Sequence, residues 1–113
     1  MADNDIAAAI DELRNEVGDE VVAELIGLYD ASLSERTAEI ETAIEKGDCE
    51  AVASHAHALI GSVANFRAAE ALRLMRDLES SAREGASRDA MRPLYERAKA
   101  EALRVRAVVH SYR

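Results

Sequence analysis

The segment Ser54-His55-Ala56-His57-Ala58-Leu59-Ile60-Gly61-Ser62-Val63-Ala64-Asn65-Phe66 holds the side chains best suited to chemistry. Read as a helix at about 100° per residue, it puts Leu59 and Phe66 opposite His57, with Ala53, Gly61 and Ala64 within roughly 40° of it. His57 therefore points outward among very small side chains. A glycine inside a helix costs about 1 kcal/mol relative to alanine, and clearance around the ring gives Gly61 a purpose. An imidazole titrates at about pH 6.5 and offers a neutral, nucleophilic nitrogen at cellular pH. A phosphoramidate formed on it would keep a high transfer potential, with no positioned base or metal to direct water onto the bond. A histidine that accepts a phosphoryl group from another protein must be approached in line, and bulky neighbours one turn away would block that approach. The structural alternatives are close helix packing at Gly61 and a plain boundary role for Ser62. His55 lies about 160° from His57, where a satisfied boundary histidine is expected, and residues two apart diverge too far to chelate one metal. His110 reads as a frayed surface residue.

The elements that must position His57 follow from apolar spacing. Ile6, Ile10, Leu13 and Val17 mark a short first helix, interrupted at Gly18-Asp19. Val22, Ile26, Tyr29, Leu33, Thr37, Ile40 and Ile44 form a long stripe ending at Gly47, and Asp48 can cap the next helix. That helix carries Val52, Ala56, Leu59, Val63 and Phe66 inward. Leu72, Met75, Leu78 and Ala82 make a fourth stripe, closed by Gly85, with Leu74 falling off it onto an exposed apolar rim. Ser87 or Asp89 can cap a last helix with Met91, Leu94, Ala98, Ala102, Val105 and Val109 facing inward. If it starts at Ser87, Pro93 removes a backbone bond and should kink it; if nearer Asp89, the cost is smaller. The fold class expected is all-α: an antiparallel up-and-down four-helix bundle with helices at roughly 19–46, 49–66, 68–84 and 88–111, capped by the first helix, in one domain over 1–113.

Composition narrows the function. The chain has 113 residues, 49% of them apolar and dominated by alanine, with no tryptophan and one phenylalanine, which favours helices over sheets. A net charge of -8 argues against nucleic acid as a ligand. No apolar run approaches the roughly 20 residues of a membrane span, and Met1 to Ile10 lacks the pattern of a secretory leader, so a cytoplasmic location is expected. Cys49 is the one cysteine, which rules out an internal disulfide and a cysteine-based metal cluster; it reads as a small residue at a helix start. No glycine-rich phosphate loop, nucleotide-binding pattern or paired catalytic carboxylates occur, so no ATP-dependent kinase activity, cofactor or metal of its own is expected.

Ala56-His57-Ala58-Leu59-Ile60-Gly61-Ser62 and the following Ala64-Asn65-Phe66 resemble the histidine-containing phosphotransfer (HPt) domains, whose hallmark is His-x-Leu-Lys-Gly-Ser followed by Ala-Asn-Phe/Leu-Gly. Gly47-Asp48 and the stretch from Leu72 to Glu79 are also similar, and the resemblance spans roughly residues 19–111. It implies a phosphorelay intermediate. His57 would take a phosphoryl group from a receiver-domain aspartate of a hybrid histidine kinase, or from a partner kinase, and pass it to a response-regulator receiver, with Mg2+ supplied by the receiver. Gly61 would give steric room, and Ser62 and Asn65 structural or hydrogen-bonding support. Two positions depart from the pattern: Ile60 stands where the family has lysine, and Arg67 where glycine is usual after Asn-Phe. Arg67, Arg73 and Arg76 are candidates for restoring positive charge toward a receiver's acidic pocket, or are simply solvated opposite nearby glutamates. Ile60, about 60° from His57, and Leu74 are candidate apolar docking contacts. The alternative function is a phosphorylation-independent receiver- or kinase-binding module that has lost efficient transfer through Ile60, and a bundle unrelated to signalling comes third. A monomer is expected, without nucleic-acid or membrane partners.

Overall fold

Helix-forming residues run almost without interruption along this chain, so its architecture is decided where helices stop. The computed structural model describes residues 2–112 and holds, over them, five α-helices and no strand: α1 (Ala2–Val17), α2 (Asp19–Lys46), α3 (Cys49–Ala64), α4 (Ala69–Arg83) and α5 (Arg88–Ser111). Met1 and Arg113, the ends of the expected domain, lie outside the described residues. Gly47 ends α2 in the left-handed conformation (φ 67°), and the N–H groups of Gly47 and Asp48 reach back to the carbonyls of Ile44 and Ala43. The Asp48 carboxylate then accepts from the Ala51 N–H at 3.1 Å and starts α3. Ser87 caps α5 in the same way through the Ala90 N–H, which puts Pro93 inside the helix. With no N–H to give, Pro93 leaves the Asp89 carbonyl without its helical donor.

A 28-residue α2 is about 42 Å long at 1.5 Å per residue, and it sets the 43 Å long dimension of the molecule. It packs on α3; α3 packs on α4, α4 on α5, and α5 returns to α2, while α1 lies against α2 and α5. The core lies inside that ring. Ile26, Tyr29, Leu33, Ile40, Val52, Leu59, Val63, Met75, Leu78, Met91 and Val105 are all but inaccessible to solvent. Thr37, in the middle of the α2 stripe, donates its hydroxyl to the Leu33 carbonyl at 2.7 Å and needs no other partner. The Tyr29 hydroxyl donates to the Ala102 carbonyl at 2.6 Å, and its ring meets Phe66 edge to face with centroids 5.6 Å apart.

Two inward faces differ from the sequence expectation. Leu74 is only 5% exposed and belongs to the core with Ala71, Met75, Leu78 and Ala82, so it forms no exposed rim; Leu72 is the half-buried one. Residues 65–67 form a turn and α4 starts at Ala69; Ala71 and Leu74 join Met75, Leu78 and Ala82 at spacings of three and four, so the inward face is wider than the expected stripe and is centred away from Leu72. On α5, Tyr95 is buried where Leu94 was expected, its hydroxyl donating to the Glu41 carboxylate. His110 is not frayed: its Nε2 lies 2.8 Å from the Asp30 carboxylate.

Asp48 touches the start of α3 and no part of the histidine face. Asp48→Ala should lower stability by about 1 kcal/mol. A urea titration checks this as a shifted midpoint with unchanged slope.

Candidate functional site

The helix α3 sits between α2 and α4, so one strip of it faces solvent. His57 lies on that strip with its side chain 69% exposed, and Gly61 and Ala64 are exposed beside it. A Cβ built on Gly61 would meet nothing within 4 Å. Packing within the chain therefore does not require glycine, and the close-packing alternative is excluded. The free space is on the outside.

An exposed imidazole would ordinarily rotate freely, but this one is tied. Its Nδ1 lies 3.2 Å from one carboxylate oxygen of Glu79 on α4 and 3.3 Å from the other. A carboxylate only accepts, so Nδ1 carries the hydrogen and the lone pair of the neutral ring is on Nε2, the outer nitrogen. Glu79 is itself fixed. Its side chain is 15% exposed, and Arg83, one turn further along α4, donates to Oε2 from Nε at 2.9 Å and from a terminal nitrogen at 2.7 Å. Burial works against charge on Glu79, yet the hydrogen bonds from Arg83 and then His57 outweigh it and hold the carboxyl below its ordinary value.

An open nucleophilic nitrogen, oriented from behind by an ionised acid, is what a group-carrying histidine needs. A family model described as Hpt domain matches residues 24–108 of the chain. The chain belongs to the Hpt domain family. A phosphotransfer role in two-component signalling goes with that family, whose members interact with receiver domains. No curated protein and no solved structure matches the chain. No helix among the described residues is long and apolar enough to cross a membrane.

Within this Hpt domain the other candidate residues fall in different places. Ala53 is buried beneath His57, where it and Ala82 of α4 line one hollow, so it shapes the helix contact and not the open face. The Ser62 hydroxyl donates to the Ser32 hydroxyl of α2 at 3.4 Å. Asn65 is exposed at the end of α3, and Ile60 is half-buried against the core. Arg67 takes φ 50°, the left-handed conformation that glycine adopts without strain, and its guanidinium pairs with Glu12 of α1. Arg73 pairs with Glu70 and Asp77 on its own helix. Arg67 and Arg73 are thus spoken for by this chain's own acids, whereas exposed Arg76 has no ion-pair partner among the described residues.

Sequence reasoning missed three functional candidates: Glu79, Arg83 and a groove on the α2 side. Leu25, Leu28, Tyr29, Ala58, Gly61, Ser62 and Asn65 line that groove, and Leu28 is 65% exposed. Val21, Leu25 and Leu28 recur at helical spacing and form a second apolar stripe on α2, outside the core one.

A carboxyl that ionises more easily folded than unfolded lends stability above its unfolded pKa and loses it as pH falls through the folded one. With the Glu79 carboxyl held below its ordinary 4.5, Glu79→Gln should be less stable than wild type near neutral pH, and the gap should close below that value. Urea midpoints from neutral to acid pH measure this; a gap independent of pH would refute the tie.

Proposed function

We propose that this Hpt domain is a phosphorelay intermediate with His57 as phosphoacceptor. On this reading α2 to α5 run alternately up and down, and α1 caps one end. The observation that carries it is the exposed imidazole whose Nδ1 is engaged by Glu79, leaving Nε2 free. The Nε2 lone pair attacks the phosphorus of an aspartyl phosphate on a receiver domain. The new N–P bond forms as the P–O bond to aspartate breaks, and the aspartate leaves as a carboxylate. The ring, still bearing its Nδ1 hydrogen, becomes cationic as the bond forms, and the carboxylate of Glu79 stabilises that charge. Return to a second receiver is the same step reversed: the receiver aspartate attacks phosphorus, the electron pair of the N–P bond returns to Nε2, and the ring leaves as neutral imidazole still bearing its Nδ1 hydrogen. Mg2+ belongs to the receiver.

Flow from the receiver of a hybrid histidine kinase to a response regulator is the direction proposed. The receiver docks over the strip of α3, with its apolar rim in the groove of Leu25, Leu28 and Gly61. Leu74, buried in the core, takes no part in this docking. A binding module without transfer is the second reading, favoured by one feature: Ile60 is half-buried and apolar where the family has a cation. Incubation with a phosphorylated receiver separates the two. Label should move to wild type and not to His57→Gln; binding without label on wild type would establish the second reading.

The docking surface has its own tests. Gly61→Leu fills open space and improves helix propensity, so it should melt no lower than wild type, yet slow transfer by about 100-fold or more. Leu28→Asp should raise the receiver concentration needed for half-maximal transfer about tenfold, the equivalent of one lost apolar contact, with little change in the maximal rate. Single-turnover transfer measured against receiver concentration separates these effects, and an unchanged Gly61→Leu rate would remove the groove from the docking face.

A further inference from the structure

We infer that Arg83 is the positioning cation of this site: by neutralising Glu79 it lets that carboxylate orient the His57 ring without protonating it. The inference rests on the reading of His57 as phosphoacceptor and adds a residue that the motif does not contain.

A carboxylate 3.2 Å from an imidazole does two things at once. It fixes the ring with hydrogen on Nδ1, which makes Nε2 the nucleophile. It also stabilises imidazolium, which has no lone pair to attack with. Only the first effect serves phosphoryl capture. The two separate if the charge of the carboxylate is already balanced by a permanent cation that leaves one accepting direction open to the ring. Arg83 meets that description. Guanidinium stays charged across the working pH range, and both of its donors fall on Oε2; Nδ1 lies across both oxygens, 3.2 Å from Oε2 and 3.3 Å from Oε1, so Oε1 is the one that Arg83 leaves to the ring.

Among the described residues no other cation is bonded to Glu79. Ile60, at the lysine position, is apolar. Arg67 is held by Glu12, and Arg73 by Glu70 and Asp77. On α2, Arg36 points its guanidinium at Nδ1 of His55, 2.9 Å away, and the hydroxyl of Tyr29 is bound to Ala102. On α3 itself, exposed Glu50 lies two turns before His57 and adds a further negative charge on that side. On α4, Arg76 lies within about 60° of Glu79 around the helix, but no ion pair joins it to that carboxylate among the described residues. It is a natural control: its removal changes net charge as much as removal of Arg83, without releasing Glu79.

The test uses the full chain and phosphoramidate as donor, so that docking plays no part. The P–N bond of the donor breaks, ammonia leaves, and the phosphoryl group forms a bond to Nε2. Phosphorylation followed by 31P NMR gives a rate at each pH. Wild type and Arg83→Lys should share one acid limb. In Arg83→Gln that limb should move up by about one pH unit, so that labelling is about tenfold slower in mild acid and equal to wild type in mild base. Arg76→Gln should leave the limb where it is. Imidazole nitrogen spectra should show hydrogen on Nδ1 in wild type and in all three arginine variants. A melting curve confirms that Arg83→Gln is folded; its side chain is 59% exposed. If Arg83→Gln slows labelling equally at every pH, or not at all, the positioning role is refuted while the phosphoacceptor stands. If wild type takes no label, or His57→Gln takes as much, the phosphoacceptor itself is wrong.

Discussion

A ring that stands in solvent cannot be held by burial. His57 is open to solvent over most of its surface, so the packing that fixes a core side chain is denied to it, and a single hydrogen bond to Glu79 does that work. Every other feature of the face can be traced to that substitution of a polar tie for packing. The acid must be rigid, hence mostly covered and held by Arg83. The helix bearing the ring must be flanked by small side chains, hence Gly61 and Ala64 outside and Ala53 beneath. A helix interior accepts the propensity cost of Gly61 because the rest of α3 buries Val52, Ala56, Leu59 and Val63 fully.

Whether Glu79 can reach His57 depends on the turn between α3 and α4. His57 stands eleven residues before Ala68 and Glu79 eleven after it, so the chain doubles back with the two side chains at matching height. Phe66 fixes that turn. It is fully buried, its ring meets Tyr29 of α2, and Tyr29 is bonded to the Ala102 carbonyl of α5. A hydrogen bond on the surface is thereby set in register by an aromatic contact in the core. Arg67 closes the same turn in a left-handed conformation that favours glycine, and its pairing with Glu12 of α1 offsets part of the strain.

What the sequence disclosed was whatever depends on one helix at a time. The outward direction of His57, the stripes of α2 and α3, the cap at Asp48 and the stop at Gly47 follow from periodicity and local chemistry alone. Relations between helices were not legible in the same way. The partner Glu79 needed the position of the turn, and the same uncertainty put Leu74 on an exposed rim when it belongs to the core. The bonds of Arg73 to Glu70 and Asp77 sit at helical spacings of three and four and could have been read from the sequence. The pair of Arg67 and Glu12 could not, because it requires α1 to be docked. Leu28 escaped notice for another reason: α2 already had a complete core stripe, and a second apolar stripe on a satisfied helix points outward to something else.

The absence of a lysine at position 60 changes the character of one flank of the ring. A lysine there would carry a mobile, well-hydrated charge beside His57. Ile60 instead packs half-buried against the core, and the guanidinium bonded to the His57–Glu79 pair comes from Arg83 of α4. Hydrogen bonds strengthen as water is excluded, so an apolar residue on the α4 side favours a tighter tie between Nδ1 and Glu79. The other flank, toward Gly61 and Leu28, stays open and apolar. The two sides of one imidazole then divide the labour. One side fixes the nitrogen that keeps its hydrogen, and the other leaves open space beside the nitrogen without one.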